Sequence, residues 1–393
     1  MIDQNLLSTT ESMWKYNPVP EFPEPFPEFS SGAFSVRFFN VTAASVRGKK
    51  HKHDGTNNDD YYCVSAPDFC GGKIVIAALC DGAGSRRFSR IGAKAASVTA
   101  CEALSASFCA LTDENPAFFS DLDLPTDNPE WAQLAGKIAA VMRNSVNTAF
   151  YAVKDAYEKR LNTDGFEEAT LSDFASTFLA SVIIKTAAGF DFTAAISIGD
   201  GEIAAITETG EPVIFGNSDK GNYAGETDFL LNDNLRTEAE LKSRTRFSRK
   251  HFKAYFLMSD GVADDYFPTV TGLPLLLCDL KLNGIVPFET PDGTVIPPPP
   301  DGHPEPLKYK WVNDPDVSLP LLYCEQFLDS QKLCTDEIYA ASCSVSNITG
   351  ETFNDKAERL YLWLDNYSRR GSFDDRTLVV IRPNVIETDN AGV

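Results

Sequence analysis

Short apolar runs separated by turn residues dominate the chain, and they predict a protein built mainly from strands with a few long helices. Ile74-Val75-Ile76-Ala77-Ala78-Leu79 is β-branched and has the length of a buried strand; it stops at Asp81-Gly82. Gly82 and Gly84 permit a tight turn, and Ala93, Ala95, Ala96 and Ala100 then follow at spacings suited to a helix lying close on a sheet. Strand patterns also cover Phe34 to Arg47 and Tyr61 to Ser65, with a loop from Gly48 to Asp60 between them. Pro129 to Leu161 is helical, since Trp131, Leu134, Ile138, Val141 and Met142 recur on one face. Three more strands are expected at Phe178 to Lys185, Phe190 to Ile198 and Glu202 to Thr207, with Gly189 and Asp200-Gly201 at antiparallel hairpin turns. A basic interlude, Lys242 to His251, precedes a strand at Phe252 to Met258 that runs into Ser259-Asp260-Gly261. Helical character returns at Asp355 to Ser368, and Thr377 to Arg382 closes the pattern as a strand.

Two stretches fall outside this regularity. Residues 1–31 carry Pro18, Pro20, Pro23, Pro25 and Pro27, which block helix and central strand, so an extended arm is expected, anchored by Phe22, Phe26 and Phe29. From Thr269 to about Asn347 the pattern is irregular and prolines gather at Pro297 to Pro300, Pro304 and Pro306. This reads as an insertion at about 270–345, with a stiff proline spacer, inside one domain spanning 32–390.

Composition narrows the class. The chain has 393 residues, 43% of them hydrophobic, enough for a large core. Neither an apolar run of about 18 residues nor a basic-then-apolar leader stands out, so no membrane association and a cytoplasmic location are expected. Its 9 cysteines are scattered without a CxxC pair, which points to reduced thiols rather than disulfides or zinc. A formal net charge of −21 argues against nucleic-acid partners, which select basic surfaces. The same charge means that a phosphate-bearing substrate would need a bound cation to reverse the local field.

Four distant places share one design, a carboxylate where a strand starts or ends: Asp59-Asp60, Asp81-Gly82, Asp260-Gly261 and Asp374-Asp375. Singly, each is more often a helix cap or turn residue. Together, carboxylates that meet at one sheet edge repel one another unless cations sit between them, and hard divalent ions take oxygen ligands. Two ions held by Asp60, Asp81, Asp260 and Asp374, with the Gly82 carbonyl, would suit attack on a phosphate ester by activated water.

The ordered set Gly48-x-x-His51-x-x-x-Gly55-x-x-Asn58-x-Asp60, Asp81-Gly82-Ala83-Gly84-Ser85, Ser176-Thr177, Gly199-Asp200-Gly201, Ser259-Asp260-Gly261 and Asp374-Asp375-x-Thr377 resembles the metal-dependent protein phosphatases of type 2C, in particular a bacterial branch with GxxH and DGAGS motifs. The resemblance spans about residues 34–383 without the insertion. It implies an α+β fold in four layers, α-β-β-α, with a central antiparallel β-sandwich. It also implies hydrolysis of phosphoserine and phosphothreonine with two Mn²⁺ or Mg²⁺ ions, by a metal-bridged hydroxide attacking in line, on protein substrates phosphorylated by an opposing kinase. By the same resemblance Asp60, Asp81, the Gly82 carbonyl, Asp260 and Asp374 are ligands, and Asp59 stands where many relatives hold a metal-bound water. Asp200 and Asp264 fall where some relatives hold a third, weaker ion; Asp200 is read equally as a hairpin-turn residue.

The chain also departs from that pattern. Gly55 stands where many relatives have a phosphate-gripping Arg, and Ala83 and Ser85 interrupt DGxGG. Arg86 or Arg87 would then supply the guanidinium, and His51 a proton near neutral pH, unless His51 orders its loop and the arginines are simply solvated. The departures leave a catalytically weak or silent phosphatase-like domain, acting as a signalling or binding module, as the alternative. A metal-dependent nuclease is a third reading, which the acidity disfavours.

Overall fold

The computed structural model describes residues 15–216, 227–282, 285–286, 288–289, 295–296, 356–366 and 373–384. The proline spacer, most of the expected insertion, the first residues of the arm and most of the loop around Gly216 lie outside the described residues.

Two antiparallel sheets stack face to face. One has six strands in the order β1-β2-β13-β10-β7-β8, made by β1 Phe29–Val36, β2 Phe39–Val46, β7 Glu202–Thr207, β8 Pro212–Ile214, β10 Phe252–Met258 and β13 Arg376–Pro383. The other has five in the order β3-β4-β5-β6-β9: β3 Tyr61–Ser65, β4 Ile74–Cys80, β5 Phe178–Lys185, β6 Asp191–Ile198 and β9 Thr245–Lys250. A separate two-stranded ribbon pairs β11 Phe288–Glu289 with β12 Val295–Ile296.

Strand β4 shows why the layers form. All seven of its residues are buried, and alternate side chains point to opposite faces of the sheet. Val75, Ala77 and Leu79 enter the core between the sheets, with Leu179 and Ile183 opposite Val41, Ala43, Leu257 and Val379. Ile74, Ile76, Ala78 and Cys80 face the helices α2 Ser89–Glu114 and α3 Pro129–Glu158. The outer face of the six-stranded sheet is covered in turn by α6 Thr269–Leu282 and α7 Lys356–Asn366 through Leu273, Leu276, Leu280, Leu360, Trp363 and Leu364. Helix, sheet, sheet and helix are therefore the four layers of an α+β sandwich.

Helix α3 starts as its sequence dictates: Asn128 caps the Glu130 amide at 2.8 Å and Pro129 occupies the first turn, where no amide donor is needed. Among the described residues, α2 is long and apolar enough by length and composition to cross a membrane, contrary to the sequence expectation. Its Ala93, Ala96, Ala100, Leu104 and Phe108 face is packed in the core, as small side chains allow.

Four sequence expectations need correction. The stretch 34–47 is a hairpin, because Arg37-Phe38 turns the chain between β1 and β2. The loop after Gly48 contains a helix, α1 Lys49–Asp54. Asp200-Gly201 is not a hairpin turn: β5 and β6 pair, but β6 and β7 belong to different sheets, so the chain crosses the sandwich here. Thr269–Leu282 is helix α6, with Pro274 inside it, rather than irregular chain. The basic interlude, for which the sequence predicted no element, is the end of helix α4 Glu238–Arg244 followed by strand β9.

Candidate active site

Strand register gathers the acidic motifs at one end of the sandwich. Tyr61 pairs with Cys80, so Asp60 precedes the first residue of β3 beside Asp81 following the last residue of β4. In the other sheet Met258 pairs with Leu378 and Arg376 with Val46, which brings Asp260, Asp374-Asp375 and Gly48 to the same end. Glu202 lies opposite Met258, so Asp200 is there as well. Each of these carboxylates sits just beyond the end of a strand or on the first turn of a helix, as Asp260 does at the start of α5 Asp260–Ala263.

Close backbone approach explains the glycines in the motifs. A Cβ on Gly48 would lie 2.2 Å from the Asp374 carbonyl carbon, and one on Gly261 would lie 1.9 Å from the Asp375 oxygen. Only residues without side chains let α1 and α5 close on the Asp374-Asp375 turn. Gly82 is held similarly, its amide donating to the Asp59 carbonyl at 3.2 Å.

Hydrogen bonds fix each carboxylate from behind. Thr377 Oγ1 donates to Asp60 Oδ2 at 2.6 Å, the Asp60 amide donates to Asn58 Oδ1 at 3.0 Å, and Asn58 in turn reaches Ser45 Oγ at 2.9 Å. Asp81 is fixed through its backbone: its amide donates to Thr177 Oγ1 at 2.9 Å and its carbonyl accepts from the Thr177 amide at 2.8 Å. Thr377 and Ser259 exchange bonds of 2.9 and 3.0 Å, tying β13 to the turn that carries Asp260. Asp60 Oδ1 and Asp260 Oδ1, however, are buried without a hydrogen-bond partner among the described residues.

Charge accumulates accordingly. Burial, and then repulsion from Asp60, Asp260 and Asp374, pushes the Asp81 carboxyl well above its ordinary range. Burial does the same to Asp60, with repulsion from Asp375 added. Asp260 is raised to about 7 by burial, against a hydrogen bond shared with Asp81 and with repulsion from Asp374, Asp200 and Asp264. Asp59 also rises to about 7, through burial and Asp375. Asp374 is raised by burial and by Asp375.

Asp375 is the residue that sequence reasoning left without a role. Its carboxylate accepts from the Gly48 amide at 2.6 Å, from the Asp59 amide at 2.5 Å and bonds His51 Nδ1 at 2.8 Å, clasping three segments. The signal was present as the second Asp of an Asp-Asp pair. His51 is buried; burial opposes its charge, but Asp375, Asp59 and Asp374 outweigh it and lift the imidazole to about 10. Its Nδ1 is bonded to Asp375 and its Nε2 faces Asp59 and Asp374. His51, Asp59 and Asp375 each bring a potential ligand atom within 4.8 Å of the others, so the hydrogen-bonded trio is also a candidate place for a metal ion.

The remaining candidates lie further out. Asp200 is half-buried and accepts from the Thr227 hydroxyl, and Asp264 is exposed at the C-terminal end of α5; both act on Asp260 by charge. Arg86 and Arg87 are exposed and line a cleft of about 360 Å³ that also touches Asp59 and Gly84. Gly55, at the position of the missing Arg, ends α1 in a left-handed conformation with φ 74°, where a long side chain would be strained.

The family model of Protein phosphatase 2C matches residues 47–277. The chain belongs to the protein phosphatase 2C family. Its matched segment carries every acidic motif except Asp374-Asp375, which β13 returns to the site from beyond residue 370. No curated protein matches the chain by sequence. Among solved structures, a serine-threonine phosphatase 2C from Toxoplasma gondii is 10% identical with a TM-score of 0.41, over 91% of this chain and 100% of that one. A PPM Ser-Thr phosphatase from Mycobacterium smegmatis, in complex with cacodylate, is 14% identical with a TM-score of 0.30, over 89% and 100%. The phosphatase domain of SpoIIE from Bacillus subtilis is 11% identical with a TM-score of 0.31, over 91% and 70%. The family assignment rests on the family-model match.

Proposed function

We propose that this member of the family is a manganese- or magnesium-dependent phosphatase of phosphoserine and phosphothreonine in proteins, reversing the action of a protein kinase in the cytoplasm. The observation that carries the proposal is the pair of buried oxygens, Asp60 Oδ1 and Asp260 Oδ1, without a hydrogen-bond partner among the described residues, within a group of carboxylates whose proton affinities are raised by burial and then by mutual repulsion. Such a donor set fits hard cations, because oxygen ligands are what they take and buried carboxylates are what they neutralise. Asp60, Asp81, the Gly82 carbonyl, Asp260 and Asp374 would hold two ions, with Asp59 acting through a water. Asp200 and Asp264 would serve a third.

Bound there, the ions lower the pKa of water and offset phosphate charge. The chain's own residues do the rest. Thr377 fixes one oxygen of Asp60, leaving the other for a ligand. Thr177 and Gly82 set the backbone around Asp81, and the Asp375 clasp sets Asp59 relative to Asp374. His51 keeps Nε2 toward Asp59 and Asp374, at 4.0 and 3.9 Å, and would give a proton to the leaving group from there. Arg86 or Arg87 would grip the phosphate from the cleft.

The test is hydrolysis of an aryl phosphate and of a phosphothreonine peptide with manganese, with and without chelator. Turnover that chelation abolishes supports the proposal. The left-handed Gly55 favours one rival reading, a domain that binds phosphorylated partners without cleaving them, and binding without turnover would select it.

A further inference from the structure

The N-terminal arm does more than lie on the body. Between residues 15 and 28 it is tied to the segments that carry the site. The Asn17 amide donates to the Lys52 carbonyl at 2.7 Å, and Arg47 Nη1 reaches the Asn17 carbonyl at 3.0 Å and Glu28 at 2.8 Å. The Phe26 amide donates to Asn57 Oδ1 at 2.8 Å, two residues before Asp59. Arg90, in the first turn of α2, donates to the Pro23 carbonyl at 2.6 Å and the Glu24 carbonyl at 3.1 Å, and Arg160 pairs with Glu24 at 2.9 Å.

This anchoring holds Phe22 in a particular place. One edge of its ring abuts Gly165, where an added Cβ would lie 2.5 Å from Phe22 Cζ, and yet the residue remains 59% exposed. Bonds on both flanks thus fix a large aromatic side chain at the surface. Pro20, Phe22 and Pro23 line the same cleft as Arg86 and Arg87, together with Asp59 and Gly84. A Cβ on Gly84 would stand 3.6 Å from His51 Nε2, so the cleft is continuous with the proposed centre. Among the described residues no hydrogen bond or ion pair engages the Arg86 side chain. In a chain of charge −21, two exposed arginines in a cleft also lined by Pro20, Phe22 and Pro23 make a site for an anion with an apolar neighbour.

We propose that the arm's Pro20-Phe22-Pro23 wall and the Arg86-Arg87 pair form a substrate groove that selects phosphopeptides bearing an apolar side chain beside the phosphorylated residue. The proposal rests on the phosphatase reading for the fate of the peptide, but not for its binding. It places substrate selection in a segment outside the residues matched by the family model.

Two phosphothreonine peptides differing only in Leu or Gly next to the phosphorylated residue test it on the full chain. Binding is read by fluorescence anisotropy of their hydrolysis-resistant phosphonate analogues in manganese, and turnover by kcat/KM. The Leu peptide should be preferred about tenfold in both readouts, the discrimination an apolar contact supplies. Phe22→Ala should erase that ratio, while Glu21→Ala, which does not line the cleft, should keep it. A merely structural role for Phe22 would weaken both peptides alike and leave the ratio intact, which overturns the proposal, as does equal binding of the two peptides by the unaltered protein. A preference seen in binding with no turnover of any substrate would retain the groove and refute the enzyme.

Discussion

Two ends of the same sandwich bury aspartates at strand termini and satisfy them differently. At the start of β6, Asp191 is buried, ion-paired with Lys185 at the end of β5 and bonded by the Phe252 amide at 3.2 Å. Burial raises its pKa and Lys185 draws it back. At the opposite end Asp59, Asp60, Asp81, Asp260, Asp374 and Asp375 crowd together, and of these Asp59, Asp374 and Asp375 face His51. One acid with one base is complete in itself; Asp60, Asp81 and Asp260, whose charged neighbours are other carboxylates, are not. The difference teaches that the second group is organised for something the chain does not supply, and divalent cations meet the chemistry of its donors.

The largest effect expected from this contrast is on activity. Asp81→Asn or Asp260→Asn should lower manganese-dependent hydrolysis of an aryl phosphate about 100-fold or more, with the circular dichroism spectrum unchanged. Asp191→Asn should behave oppositely, destabilising the fold by about 3 kcal/mol through a stranded Lys185, with manganese affinity untouched; denaturant melts and metal titrations read both.

A smaller contrast concerns metal and pH. Manganese at about 100 times its dissociation constant should stabilise the unaltered protein by about 2.7 kcal/mol and Asp81→Asn by much less, as thermal melts would show. In chelator the pH dependence follows from the sign of the shifts. Asp59 and Asp260 rise from 3.8 to about 7 on folding, so the stability they contribute is fully present below 3.8 and is lost as pH climbs through about 7. His51, raised from 6.5 to about 10, contributes stability that is complete below 6.5 and lost toward 10. The metal-free protein should therefore melt at lower temperature as pH rises from about 5 to about 8, and manganese should flatten the slope. The smallest effect should come from Asp264→Asn: the residue is exposed and stands at the proposed third, weaker ion rather than at the central pair, so activity should change by about twofold or less.

Much of this was legible in the residues, for identifiable reasons. The β4 run ending at Asp81-Gly82 is an unbroken, β-branched apolar stretch of strand length with a breaker, and local chemistry alone places the strand and its stop. That Asp60, Asp81, Asp260 and Asp374 come to one end depends on register and on which strands share a sheet, which no local pattern encodes; the family resemblance supplied it. The same limit explains the misreading of Asp200-Gly201, since a short Asp-Gly link looks alike in a hairpin and in a crossover between sheets. Helix α1 escaped notice because six polar residues with histidines and lysines show no apolar face. The clasp by Asp375 was invisible because its partners are backbone amides of Gly48 and Asp59, hundreds of residues away in sequence.

A crystal of the full chain grown in manganese, with anomalous difference maps at the manganese edge, tests the central claim most directly. Two peaks among Asp60, Asp81, Asp260 and Asp374 are the expected result. Maps without manganese between these carboxylates, at saturating metal, would contradict it.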